Sequence, residues 1–174
     1  IKKISKEYLV NLNDYEKATQ NYEIYKTDAC SITLVNNKKN NNKYVVKTVT
    51  KDENKLFLMI RELEILYKIR NPVLFIVLHG YSEYDLNQKP NYSILMDYFE
   101  KGSLFSFIRD HKDEIFQNEI YNTKLQIIFA GIACGMMVLH DHNIIHRDLK
   151  LENILIDDDF QPHIIDFGGS KIFN

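Results

Sequence analysis

The segment "HRDLKLEN", residues 146–153, places a carboxylate, an ammonium group and an amide close together in the chain. Asp148 could accept the proton of an attacking hydroxyl group. Lys150 could reach a phosphate group during its transfer, and Asn153 offers a side-chain oxygen of the kind that Mg²⁺ prefers. Phosphoryl transfer needs little covalent chemistry from a protein, because positioning and charge stabilisation supply most of the catalysis. The segment therefore predicts a phosphoryl-transfer site.

Three more charged residues elsewhere in the chain could take part in phosphoryl transfer. Asp166, in "IIDFG", offers a carboxylate to Mg²⁺, Lys47 could hold the α- and β-phosphates, and Glu62 could keep that lysine aimed. Each residue is weak evidence alone, because lysines and glutamates are usually solvated surface charges and short motifs arise by chance. The prediction rests on order and spacing, since "IIDFG" follows "HRDLKLEN" after one predicted β-hairpin.

Strand and helix patterns change between the two halves of the chain. The first hundred residues predict strands over 31–35, 43–49, 72–82 and 91–99 and a helix over 54–70. The second half predicts helices over 103–111 and 119–142 and short strands over 153–157 and 163–166. The long helix is apolar on most faces, so we expect it to be buried. We expect an α+β fold, with an N-terminal extension (1–21), a strand-rich lobe (22–98) and a helix-rich lobe (99–174).

Composition and charge narrow the class of protein. The chain is 45% hydrophobic and 26% charged, which is typical of a globular protein, and its net charge is −2 with no basic stripe. We therefore expect no nucleic-acid partner. Cys30 and Cys134 form no C-x-x-C pair, which favours reduced thiols in a cytoplasmic protein. The longest apolar run, 127–139, is shorter than the roughly 20 residues that span a bilayer, so no membrane segment is predicted.

The combined motifs resemble those of eukaryotic protein kinases over residues 22–174. The catalytic-loop pattern H-R-D-L-K-x-x-N matches 146–153, and D-F-G matches 166–168. The resemblance implies a bilobal kinase fold, with a strand-rich N-lobe that carries one main helix and the first part of a helical C-lobe. The D-L-K-x-x-N form is similar to that of serine/threonine kinases, and "GSLFSFI" and "DFGGSK" are similar to the tyrosine-kinase-like subgroup. ATP and Mg²⁺ are the implied cofactors, and a protein serine or threonine is the implied substrate.

The resemblance also gives each candidate residue a role. The residues concerned are Asp148, Lys150, Lys47 and Glu62 in catalysis, Lys47, Ile32, Val45, Met96, Asp97, Phe99 and Leu155 in nucleotide binding, and Asn153 and Asp166 in metal binding. Met96 would be the gatekeeper, and the backbones of Asp97 and Phe99 would meet adenine. A regulatory spine is implied for Leu66, Leu78, His146 and Phe167. Arg147 would bind a phosphorylated activation loop through a charge-assisted pair.

Two departures from the family pattern matter for function. All six glycines lie at or after Gly80, so the three glycine positions of the phosphate loop hold Tyr25, Thr27 and Cys30. Glycine lets backbone N–H groups approach a phosphate without a Cβ in the way, so side chains there should loosen the grip on phosphate. The chain also ends soon after Asp166. We therefore expect a truncated kinase domain that phosphorylates no peptide by itself.

Two alternatives remain open beside a serine/threonine kinase. A pseudokinase or ATP-binding scaffold without turnover is favoured by the glycine-free loop and opposed by the complete set of catalytic residues. A small-molecule phosphotransferase ranks last, because such enzymes typically have histidine at the position of Lys150 and lack the Arg147–Asp148 pair. The oligomeric state is not predicted by any of these patterns.

Overall fold

An antiparallel sheet is the framework of the first half of the chain. The computed structural model describes residues 6–50, 52–115 and 117–173, and within them six strands form this sheet. The strands are β1 (Tyr15–Lys17), β2 (Glu23–Lys26), β3 (Cys30–Asn37), β4 (Lys43–Val49), β5 (Leu78–Ser82) and β6 (Tyr92–Asp97). Their order is β1-β3-β4-β6-β5, and β2 also pairs with β3. Helix α1 (Glu53–Ile69) follows β4 in the chain.

The centre of the sheet is buried because β3, β4 and β6 are rich in β-branched and other apolar residues. Val35, Val46 and Leu95 form a core cluster together with Leu12, and none of the four is more than 3% exposed. Side chains alternate between the two faces of a strand, so residues next to this cluster in sequence point to the opposite face. The candidate site uses that opposite face.

The N-terminal segment, predicted as an extension over 1–21, joins this sheet in its described part. Strand β1 pairs with β3 from Tyr15 opposite Asn37, and the Val10 N–H donates to the Tyr81 carbonyl at 2.9 Å. Gly80 makes this approach possible, because a Cβ there would overlap the Val10 side chain and lie 2.5 Å from the Tyr8 carbonyl oxygen. The segment therefore contributes to the core of the sheet.

Helices and two small two-stranded sheets form a second compact unit. Its helices are α2 (Leu104–Asp110), α3 (Lys112–Ile115) and α4 (Glu119–Asp141), and its strands are β7 (Ile144–Ile145), β8 (Ile154–Ile156), β9 (Pro162–Ile164) and β10 (Lys171–Ile172). Strand β8 pairs with β9, and β7 pairs with β10. Helix α2 begins after Ser103, whose Oγ accepts the Ser106 N–H at 3.2 Å, and α4 begins after Asn118, which caps it in the same way.

The chain passes between the two units at three places. Among the described residues, the first unit contains those up to Tyr67 and Val77–Tyr98, and the second contains Lys68–Ile76 and those from Phe99 onward. The predicted strand over 72–82 is therefore wrong in its first half. The Ile164 N–H donates to the Leu74 carbonyl at 2.9 Å, so this part of the apolar run packs on β9 instead of joining the large sheet. Composition alone could not reveal that the run is shared between two cores.

The expected burial of the long helix is also wrong for most of its surface. Helix α4 packs on one side only, where Gly131 and Gly135 allow Pro162 and Ile164 to approach closely. In the described chain, 17% of its most apolar window is buried. By length and composition alone, α4 is the one helix in the described residues that could cross a membrane, and this is weak evidence because core helices meet the same test.

The close contact at Gly80 predicts a stability effect. Gly80→Ala should lower the free energy of unfolding by about 1–3 kcal/mol, because the new methyl group overlaps the N-terminal segment. The matched control is Gly169→Ala, where a Cβ meets no atom within 4 Å. Urea denaturation measures both changes.

A second variant locates the clash. Val10→Ala removes one of the overlapping side chains, so Gly80→Ala combined with Val10→Ala should cost less than the sum of the single changes. The contact with the Tyr8 carbonyl remains, so the relief should be partial. Equal costs at Gly80 and Gly169 would contradict the packing of the N-terminal segment on β5.

Candidate active site

One face of the large sheet carries four of the residues that were predicted to bind nucleotide. Ile32 lies opposite Lys47 in the pairing of β3 with β4, and Val45 lies opposite Met96 in the pairing of β4 with β6. Opposed residues share a face, and Val45 and Lys47 are two residues apart on one strand. The four side chains therefore lie on the same face, away from the core cluster of Leu12, Val35, Val46 and Leu95.

A short ion pair fixes the lysine on this face. The Lys47 Nζ lies 2.6 Å from Glu62 Oε2, and the two side chains are 17% and 3% exposed. Glu62 lies on α1, and the nearby α1 residues Leu63 and Leu66 are buried. A charge-assisted hydrogen bond is shorter and stronger than a neutral one, and partial burial limits its screening by water. The lysine ammonium is therefore held in one position by a carboxylate from α1.

The end of β6 has a polar contact that the sequence did not predict. Asp97 donates its backbone N–H to the Val77 carbonyl at 3.3 Å, and its carboxylate meets His79 Nε2 at 2.5 Å. The His79 ring also packs edge-on against Tyr44, with centroids 4.9 Å apart. These contacts fix both the backbone and the side chain of Asp97. The sequence signal for this contact was a histidine at the second position of β5.

In the second unit, the predicted catalytic residues Asp148 and Lys150 lie close to the predicted metal ligand Asn153. The Asp148 Oδ2 is 2.9 Å from Lys150 Nζ, and it accepts a hydrogen bond from Asn153 Nδ2 at 3.0 Å. The same Asn153 nitrogen also donates to the Asp148 carbonyl at 2.9 Å. Two neighbours thus hold the carboxylate in place. Both Asn153 bonds use the amide nitrogen, so neither of them uses the amide oxygen that was predicted to bind metal.

These contacts change the ionisation of both partners. The Lys150 hydrogen bond holds the pKa of Asp148 below its ordinary value, partial burial opposes the change, and the Asn153 hydrogen bond supports it. The Asp148 carboxylate raises the pKa of Lys150, and the charges of Glu152 and Asp166 add to the rise. Asp148 is therefore ionised at neutral pH. A carboxylate with a low pKa is a weak proton acceptor, so the arrangement suits orienting a hydroxyl group first and taking its proton late.

His146 connects the catalytic loop to the D-F-G segment. Its ring is fully buried, its Nδ1 accepts the Asp148 N–H at 3.3 Å, and its Nε2 lies 2.9 Å from the Ile165 carbonyl. Because the backbone N–H can only donate, Nδ1 is the unprotonated nitrogen and Nε2–H donates to Ile165. The ring also packs edge-on against Phe167, with centroids 5.1 Å apart. His146 is therefore a neutral histidine with a positioning role.

Asp166 has a left-handed backbone, with φ 64° and ψ 66°. Such a conformation costs on the order of 1 kcal/mol for a residue with a side chain. Neighbouring contacts hold the segment: the Ile165 N–H donates to the Asn153 carbonyl at 3.0 Å, and the Ser170 hydroxyl donates to the His146 carbonyl at 3.0 Å. The two predicted metal ligands, Asn153 and Asp166, therefore belong to one tightly bonded part of the second unit.

Arg147 uses its guanidinium group on backbone carbonyls in this structure. Its Nε donates to Gly169 at 2.6 Å, and its Nη2 donates to Ser170 at 3.4 Å. These bonds and the pairing of β7 with β10 hold the segment after Asp166 against the catalytic loop. The predicted role of Arg147 toward a phosphorylated loop stays a prediction.

The remaining predicted residues are distributed as follows. Phe99 and Leu155 lie in the second unit, where the Phe99 ring is 4.4 Å from the His163 ring. Leu66 and Leu78 of the predicted spine lie in the first unit, and His146 and Phe167 lie in the second. Sequence reasoning missed Phe75, whose ring packs edge-on against Phe167 with centroids 5.9 Å apart. Its aromatic side chain within an apolar run after Pro72 was the only signal. The functional roles of these residues stay predictions.

Comparisons with known proteins show the family to which this chain is similar. Residues 27–174 match the family model described as protein kinase domain. The human protein NUAK family SNF1-like kinase 1 is 33% identical over 132 residues, which cover 75% of this chain and 18% of that protein. The mitogen-activated protein kinase kinase kinase zak-1 of Caenorhabditis elegans is 34% identical over 123 residues, which cover 67% of this chain and 16% of that protein.

A third relative has a name that states its residue specificity. The RGS domain-containing serine/threonine-protein kinase A of Dictyostelium discoideum is 40% identical over 95 residues, which cover 55% of this chain and 8% of that protein. The chain spans less than a fifth of the length of these relatives.

The chain belongs to the protein kinase domain family. The predicted α+β kinase fold, with a strand-rich sheet and one main helix before further helices, is confirmed.

The contact between Asp148 and Lys150 predicts a measurable titration. Lys150→Met should raise the pKa of Asp148 toward its ordinary value, because the largest cause of the depression is removed. The control is Lys124→Met, which removes the same charge from a lysine that lies over the Phe160 ring at 4.1 Å. Carboxyl NMR signals followed against pH give the pKa in each variant.

The sign of the linked stability effect follows from the direction of the shift. The pKa of Asp148 is depressed in the folded protein, so the pair stabilises the fold at pH values above the ordinary aspartate pKa. This contribution is lost as the pH falls through the folded-state pKa. An Asp148 pKa that does not move in Lys150→Met would contradict the ion pair.

Proposed function

We propose that this chain is the nucleotide-binding part of a protein serine/threonine kinase that transfers the γ-phosphate of Mg²⁺-ATP to a protein hydroxyl group. The observation that carries the proposal is the Asp148 carboxylate held between Lys150 and Asn153, with Asp166 close enough to act on the Lys150 charge. Membership of the protein kinase domain family supports the reaction class.

The metal-ligand set fits Mg²⁺ that arrives with nucleotide. Asn153 and Asp166 offer one amide oxygen and one carboxylate, and Mg²⁺ in kinase sites is usually bound by one or two carboxylates together with substrate phosphates. No group of three or more histidine, cysteine, aspartate or glutamate residues in the described ranges could hold a metal ion. A site for the metal without nucleotide is therefore not supported.

Each residue has one task in the proposed mechanism. Mg²⁺-ATP supplies the phosphoryl group when it is bound. Lys47, aimed by Glu62, would donate to the α- and β-phosphates, and Lys150 would donate to the phosphoryl group that is transferred. Asp148 would accept a hydrogen bond from the substrate hydroxyl and take its proton as the new O–P bond forms, while the bond between the γ-phosphorus and the bridging oxygen breaks and ADP leaves. The low pKa of Asp148 keeps the carboxylate ionised and ready to accept that hydrogen bond.

Serine/threonine specificity is supported by two features. Lys150 stands two residues after Asp148, as in the D-L-K-x-x-N pattern that resembles serine/threonine kinases. The Dictyostelium relative is itself named a serine/threonine-protein kinase. A cytoplasmic location stays a prediction from the sequence.

An ATP-binding scaffold without turnover is the second candidate. The phosphate loop favours it, because Tyr25, Thr27 and Cys30 stand where glycines would leave backbone amides open to phosphate. The retained contacts among Asp148, Lys150 and Asn153 oppose it.

Two aspartate variants separate the candidates. In the full-length protein, Asp148→Asn should lower phosphate transfer to a serine/threonine peptide by about 100-fold or more and leave ATP affinity nearly unchanged, because Asp148 acts on the hydroxyl group. Asp166→Ala should remove the Mg²⁺-dependent part of ATP affinity. Calorimetric titration with and without Mg²⁺ and a radiolabel transfer assay give both values.

The control is Asp158→Asn, which makes the same change at a side chain that is 91% exposed and pairs only at the surface with Lys101. This variant should keep wild-type transfer. Wild-type transfer in Asp148→Asn would show that the catalytic assignment is wrong. Equal ATP affinity with and without Mg²⁺, together with no transfer in the wild type, would favour the scaffold.

A further inference from the structure

In the turn that corresponds to the phosphate loop, a side chain hydrogen-bonds to the backbone amides of the turn itself. The turn, residues 27–30, connects β2 to β3, and the Thr27 N–H donates to the Cys30 carbonyl at 2.8 Å. The Thr27 Oγ1 accepts the Ala29 N–H at 3.3 Å and the Cys30 N–H at 3.1 Å. The same hydroxyl donates to the Cys30 carbonyl at 3.2 Å. A hydroxyl has one proton to donate and two lone pairs, so all three capacities are used.

Two successive N–H groups that converge on one oxygen are the arrangement that binds an anion in other turns. Here the oxygen belongs to Thr27, so the side chain occupies the position that an anionic oxygen would take. The surrounding charge does not favour an anion either. Asp28 lies at the tip of the turn, and the Lys26 ammonium is held by Glu23 at 2.7 Å.

Thr27 therefore differs from the other two residues at glycine positions. Tyr25 and Cys30 add side-chain bulk at their positions, whereas the Thr27 hydroxyl accepts the Ala29 and Cys30 N–H groups. Thr27 competes chemically, since its oxygen and a phosphate oxygen need the same N–H groups. A charged acceptor forms the stronger bond, so phosphate can displace the hydroxyl, but the hydroxyl bonds must be broken first.

We propose that Thr27 is a specificity-determining residue whose hydroxyl substitutes for a phosphate oxygen in the empty turn and thereby reduces the contribution of the phosphates to nucleotide affinity. This inference rests on the proposed function, because it assumes that the chain binds ATP. Adenosine lacks phosphates, so its affinity does not depend on Thr27. The expected size is about fivefold in ATP affinity, which corresponds to the net effect of one hydrogen bond.

Two substitutions at Thr27 distinguish the effect of the hydroxyl group from the effect of side-chain bulk. Thr27→Val retains the branched side chain and removes the hydroxyl, and it should bind Mg²⁺-ATP about fivefold more tightly with unchanged adenosine affinity. Thr27→Ser retains the hydroxyl, so it should keep the wild-type ratio of the two affinities. Thr19→Val makes the same change at an exposed residue outside the turn and is the matched control. Calorimetry on the full-length protein with Mg²⁺-ATP and with adenosine gives the ratios.

A second readout tests the turn itself. The Ala29 and Cys30 amides should exchange with deuterium faster in Thr27→Val than in the wild type without nucleotide, because they lose their acceptor. Unchanged exchange, or a gain in ATP affinity that Thr27→Ser shares, would overturn the role of the hydroxyl. Unchanged or weaker Mg²⁺-ATP binding in Thr27→Val, with adenosine and ATP still bound by the wild type, would overturn the inference and leave the proposed function intact. Failure of the wild type to bind either compound would overturn both.

Discussion

The ion pair between Lys47 and Glu62 is the constraint on which the arrangement of the first unit depends. The two atoms meet at 2.6 Å, and the glutamate side chain is 3% exposed. Burying two charges gains little over an apolar pair, whereas removing one partner of a buried pair costs about 3–5 kcal/mol. The pair is therefore weak evidence for stability, and our account is that it serves to position the Lys47 ammonium group. It fixes α1 against the face of the sheet on which Ile32, Val45 and Met96 also lie.

Backbone hydrogen bonds organise the second unit in a different way. His146 accepts from the backbone of Asp148 and donates to the backbone of Ile165, so one neutral ring sets the positions of the catalytic loop and of the segment that carries Asp166. The left-handed conformations of Arg147 and Asp166 are unfavourable alone and are maintained by these bonds.

The sequence predicted the elements whose signals are local. The strands around "KYVVKTV", the helix that carries Glu62 and the loop that carries Asp148 follow from periodicity and short motifs, and the structure contains each of them. The split of the run 72–82 was not predictable, because apolar composition does not say which of two cores a segment joins. The exposure of α4 was missed for a related reason, since periodicity cannot reveal how many sides of a helix find partners. The contacts of His79 with Asp97 and of Thr27 with its own turn depend on registers that the sequence does not state.

A double-mutant cycle on Lys47 and Glu62 tests the central claim most directly, because it asks whether the buried pair serves nucleotide binding. Mg²⁺-ATP affinity is measured for the wild type, Lys47→Met, Glu62→Gln and the double variant. If Glu62 acts by aiming Lys47, each single change should weaken ATP binding by about tenfold or more, and the double variant should be no weaker than Lys47→Met alone. Additive losses, or a Glu62→Gln variant with wild-type ATP affinity, would contradict the account.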